Sequence, residues 1–134
     1  MRLIGWMGAM ALVMGSAAPA LSQNIYISQL YNQVLENSDV MGPAYALDSF
    51  GVQRMLPGGK LRIPVDVPAN ARIAIMGDCD QDCIDLDLRV FDAQGVELGQ
   101  DLLADNYPVV SVQLRAGTRI QIELDMANCD AVYC

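Results

Sequence analysis

The sequence predicts a mainly β protein: a jelly-roll-like antiparallel β-sandwich with one short N-terminal helix after a signal peptide. Three observations carry this reading. Several short runs beyond Pro43 alternate apolar with polar residues, the signature of half-buried strands. Those runs recur at roughly ten-residue spacing between Gly, Pro and Asn turns, as in sandwiches and barrels. One earlier stretch, 24–38, has a helical period instead.

The chain opens MRLIGWMGAMALVMGSAAPALSQ. Arg2 gives a positive start, Leu3 to Met14 form an apolar run, and small or turn-favouring residues fill 16–22, the order found in a secretory signal peptide. The apolar run is shorter than the roughly 20 residues a membrane span requires. Cleavage after Ala20 or after Ser22 places small residues where a signal peptidase reads them, and Ser22 is preferred. The domains are then 1–22 signal peptide, 23–43 helix and connection, and 44–134 β-sandwich, leaving about 112 residues after cleavage, enough for one modest core.

In NIYISQLYNQVLENS (24–38), Ile27, Leu30, Tyr31, Val34 and Leu35 share one helical face, which predicts a short helix packed on the core. Gly42-Pro43 stops it. KLRIPVDV (60–67) alternates Leu61, Ile63, Val65 and Val67 against polar residues, and Pro64 assigns it to a sheet edge. ARIAIMG (71–77) and DLDLRVF (85–91) are further strands, with DAQG (92–95) a tight turn. VVSVQLR (109–115) and TRIQIELDM (118–126), joined by a glycine-containing turn, read as a hairpin. Weaker candidates at 51–55 and 95–99 bring the expected number to about seven.

Asp-Leu-Asp-Leu at 85–88, Asp-x-x-Gly at 92–95 and Ala-Gly-Thr-x-Ile-x-Ile at 116–122 resemble the bacterial pre-peptidase C-terminal domain family. The resemblance covers about residues 50–134 and implies a jelly-roll-like sandwich. Members are usually non-catalytic appendages of secreted proteins, and some bind calcium, collagen or polysaccharide. The cysteine-bracketed acidic loop departs from the family pattern, and the family's calcium ligands do not align with residues here.

That loop, GDCDQDCIDLDLRVFD (77–92), is the place where an interaction site is expected. Asp78, Asp80 and Asp82 have the opening spacing of an EF-hand. Cys83 and Arg89 then stand where its glycine and closing glutamate belong, so that motif fails. A looser calcium site from Asp78, Asp80, Asp82 and Asp85 is the alternative; no other cofactor is expected. Cys79, Cys83, Cys129 and Cys134 have neither zinc-knuckle nor thioredoxin spacing, and in an exported chain an even count reads as two disulfides. Three pairings are open to them. Asp85 and Asp87 stand two apart on a strand, sharing its solvated face.

Losing Arg2 with the signal peptide leaves 7 of the 8 basic residues against 16 acidic ones, a net charge of −9. Nucleic acid and anionic membrane surfaces are excluded as partners by that charge, and no stable membrane anchor remains. There is no histidine, which removes the commonest general base and the Ser-His-Asp triad. The expectation is an exported protein, periplasmic or secreted, that is not an enzyme. It is stabilised by disulfides and serves as a binding or accessory module toward an extracellular protein or polysaccharide. The alternative is a calcium-dependent adhesion or polysaccharide-binding module using the 78–87 loop.

Overall fold

A computed structural model describes residues 22–134. The signal-peptide reading lies outside these residues except for Ser22, where helix α1 (Ser22–Met41) begins. The helix stops where Gly42 turns to φ 78° and its N–H donates to the Asp39 carbonyl at 3.1 Å. Glycine takes this left-handed conformation without a Cβ penalty, and Pro43 prevents continuation.

Six strands follow among the described residues: β1 (Lys60–Asp66), β2 (Ala71–Met76), β3 (Cys83–Asp92), β4 (Glu97–Asp101), β5 (Val109–Leu114) and β6 (Arg119–Cys129). They form one four-stranded sheet in the order β1-β6-β3-β4 and one two-stranded sheet, β2-β5, with every pairing antiparallel. The first strand lies beside the last and the second beside the second-last, which is the nested wrap of a jelly roll with few strands. Pro64 sits on β1, an edge of the larger sheet, where its missing N–H breaks no central ladder.

The alternating residues close the space between the sheets. Leu88 and Val90 of β3, Val110, Val112 and Leu114 of β5, Ile120 of β6 and Val67 form one buried cluster. Met55, Leu86, Met126 and the cysteines Cys79, Cys83 and Cys129 form a second at one end of the sandwich.

Three expectations change. The runs at 109–115 and 118–126 are not a hairpin: β5 pairs with β2 and β6 with β1 and β3, so the turn between them carries the chain from one sheet to the other. Gly117, at φ 78°, donates its N–H to the Val67 carbonyl and Val67 donates to the Thr118 carbonyl, tying this arch to the β1–β2 connection. Alternation reports only which residues face the core. Leu114 and Ile120 face it equally well from opposite sheets.

The candidate strand 51–55 is irregular, making only a single reciprocal bridge in which Met55 and Cys134 exchange N–H···O bonds of 2.8 and 3.0 Å. Pro57-Gly58 ends the run before a ladder can form. Finally, α1 does not bury its apolar stripe in the core. Ile27 is 54% exposed, and Tyr31 and Leu35 are also exposed, with Tyr31 meeting Phe50 at 5.7 Å between ring centroids.

Candidate functional site: the disulfide-clamped acidic rim

Both disulfides close locally, Cys79 with Cys83 and Cys129 with Cys134. Cys83 and Cys129 stand directly opposite in the β3–β6 register, so the two bridges lie side by side on adjacent strands. The Cys83 sulfur is 3.7 Å from the Met126 sulfur, inside the second apolar cluster. Such bridges remove chain entropy from the unfolded state, about 2 kcal/mol for rings this small. Two disulfides among the described residues, and no free thiol, fit an oxidising environment. No helix among the described residues is long and apolar enough to cross a membrane.

The clamp fixes the 77–82 loop between β2 and β3. The Asp80 side chain accepts from the Asp82 N–H at 3.2 Å, and its carbonyl accepts from Cys83 N–H at 3.1 Å. The Asp82 carbonyl accepts from the Asp130 N–H at 2.8 Å, binding the loop to the segment of the second bridge. Asp78 turns toward α1, where the Asn37 side-chain amide donates to its Oδ2 at 2.7 Å. Burial raises the Asp78 carboxyl above its ordinary value. The hydrogen bonds from Cys79 N–H and Asn37 restrain that rise.

Asp85 and Asp87 lie further along β3 on the outward face, both half-buried. Asp85 is opposite Asn128 and has one buried oxygen, Oδ1, without a hydrogen-bond partner. Asp87 stands opposite Asp125. Its pKa is raised, chiefly by burial and then by the charges of Asp85 and Asp125. Lys60 on β1 pairs with Asp125 from the far side and is raised in turn, with the Asp125 hydrogen bond the leading cause. The next row alternates sign: Arg62 bonds Glu123 through Nε at 2.6 Å, and Arg89 stands on the other side of Glu123. Glu123 is thereby buried between cations, at 4% exposure.

Asp78, Asp80, Asp82 and Asp85 are therefore spread along the rim, each with its own local surroundings. Among the described residues no three carboxylate, thiol or imidazole side chains gather closely enough to hold a metal ion. Beside them, α1 and the loop enclose an open cleft of about 330 Å³, lined by Gln29, Asn32, Gln33 and Glu36 from the helix and by Asp80, Gln81 and Asn106. These helical positions recur at i, i+3, i+4 and i+7, a polar stripe as regular as the apolar one. The side-chain amides donate and accept and the carboxylates accept, so the cleft offers hydrogen bonds to a polar ligand.

No family model, curated protein or solved structure matches this chain.

Proposed function

We propose that the protein is an exported, non-catalytic binding or accessory module that meets an extracellular protein or polysaccharide at its acidic rim and the adjoining cleft. The observation that carries this reading is the pair of adjacent disulfides, which hold a carboxylate-rich loop rigidly beside a row of amide side chains. Preorganised polar groups lose little freedom on binding, so they favour recognition. The segment MRLIGWMGAMALVMGSAAPALSQ and the oxidised cysteines support export. The resemblance to the pre-peptidase C-terminal family supports an accessory role.

Cell fractionation followed by affinity electrophoresis in soluble cellulose, starch and pectin tests the reading. Recovery of a shortened chain outside the cytoplasm is expected. So is retardation by a polysaccharide that weakens in Gln81→Ala and Asn106→Ala. A full-length cytoplasmic protein would refute the export part. Melting with and without millimolar calcium separates the calcium-dependent alternative, because a bound ion stabilises the folded state by mass action.

A further inference from the structure

The two sheets differ in width, four strands against two, so the smaller does not cover the whole of the larger. Apolar cover falls off step by step across the larger sheet. In the row Val90–Ile122–Ile63, all on the core-facing side, Val90 is 0% exposed, Ile122 is half-buried and Ile63 on β1 is 39% exposed. The smaller sheet shows the same trend. Val110 and Val112 of β5 are buried, whereas their partners Ile75 and Ile73 on β2 are only partly so. Ile63, Ile122, Ile73 and Ile75 thus make up the less covered apolar flank of the sandwich.

The free edge of β2 borders this flank. β2 pairs only with β5, and among the described residues no backbone hydrogen bond reaches its other side. β1 is defended by Pro64, Lys60 and Arg62, and β4 by its short length with Glu97 and Asp101; the far side of β5 lies beside β4, whose Asp101 accepts from the Val109 N–H at 2.9 Å. β2, ARIAIM, has no proline, no bulge and Arg72 as its sole charge. A strand added here would continue the ladder and place every second side chain over Ile63.

Charge selects the occupant. In a chain of net charge −8, Lys60 and Arg62 lie on β1, Arg72 on β2, Arg115 in the arch that meets the β1–β2 connection and Arg119 at the start of β6. Lys60, Arg62 and Arg119 already face acidic partners, while Arg72 and Arg115 make no ion pair among the described residues. We propose that the β2 edge and the less covered flank form a strand-acceptor site for an extended segment of a partner protein that alternates apolar with acidic residues. Its apolar side chains cover that flank, and its acidic ones lie on the outer face opposite Arg72. This site is separate from the acidic rim and does not depend on the reading of that rim.

The test is titration of the protein with a short capped peptide alternating valine and aspartate, followed by fluorescence anisotropy. A valine–lysine peptide is the control. Hydrogen exchange on the complex locates the binding. Saturable binding of the aspartate peptide is expected, with new protection at alternate amides of 71–76. Arg72→Glu should weaken binding about fivefold or more, as expected for reversing a cross-strand charge pair. Ile63→Asp, at a half-exposed position that leaves the fold intact, should abolish it. No binding at millimolar peptide, equal binding of the lysine peptide, or protection away from β2 would overturn the proposal. A concentration-dependent dimer with β2 amides already protected in the free protein would overturn it too, by giving the edge to a second copy.

Discussion

Replacing Asp87 with Asn should stabilise this protein at neutral pH. Asp87 stands opposite Asp125 in the β3–β6 ladder, two residues from Asp85, and its pKa is raised by burial and by both of those charges. Lys60 is bonded to Asp125 on the opposite side, so Asp87 is the acid left without a direct counter-charge in that row. Like charges directly opposite across a sheet cost about 0.2–1 kcal/mol, and solvent around a half-buried carboxylate keeps the effect near the lower end. With an unfolding entropy scaled to about 110 residues, 1 kcal/mol corresponds to about 4 °C, so the expected gain in Tm is about 1–3 °C.

The gain must depend on pH in one direction. A native carboxyl with a raised pKa holds its proton longer than the unfolded chain does. Stability therefore falls as pH rises from the unfolded value through the native one. Above that window the full penalty is present and Asn removes it. Below the unfolded value both states are protonated, and Asp and Asn become equivalent. Calorimetry at neutral pH and near pH 3 checks both halves of the argument. A destabilised variant, or an equal gain at both pH values, would refute the placement of Asp87 against Asp125.

Further perturbations test other parts of the structure. Replacing Cys79 and Cys83 together by Ala, or Cys129 and Cys134, should cost about 2 kcal/mol per pair by ring entropy, and somewhat more for the buried sulfur lost; denaturant melts measure it. Because Cys83 and Cys129 are register partners, the quadruple variant should deviate from additivity. Gly99→Ala should destabilise by about 1–3 kcal/mol, since a Cβ there would stand 2.8 Å from Val110 Cγ1, a branched side chain held in the core; the same melts apply. Asn37→Ala should cost about 1 kcal/mol of helix attachment and speed proteolysis within α1, with β-strand hydrogen exchange unchanged.

Much of the sheet was legible in the residues. Leu61, Leu86, Leu88, Val110, Val112 and Ile120 alternate because each strand has one face against the partner sheet, and Pro64 marked its strand as an edge. Strand pairing was not legible in the same way. A short glycine turn serves a hairpin or an arch between sheets, and both keep Leu114 and Ile120 inside. Helix orientation failed for a related reason. The stripe Ile27–Leu30–Tyr31–Val34–Leu35 is real, yet Gln29, Asn32, Gln33 and Glu36 make an equally periodic face, and that one meets the acidic loop. The cleft could have been anticipated from this second stripe. The unpartnered oxygen of Asp85 could not, because it depends on the shifted β3–β6 register. Cysteine spacing left three pairings open, and the side-by-side placement of the two small rings emerges only from the sheet.

The central claim is that two short sulfur-bridged rings, formed in an oxidising space, hold the carboxylate-bearing loop in place. Digestion of the protein without reductant, with mass analysis of the linked fragments, tests it most directly. The expected result is Cys79 joined to Cys83 and Cys129 joined to Cys134. Linkage between the 79–83 and 129–134 segments, or four free thiols in a protein that melts identically under reductant, would contradict it.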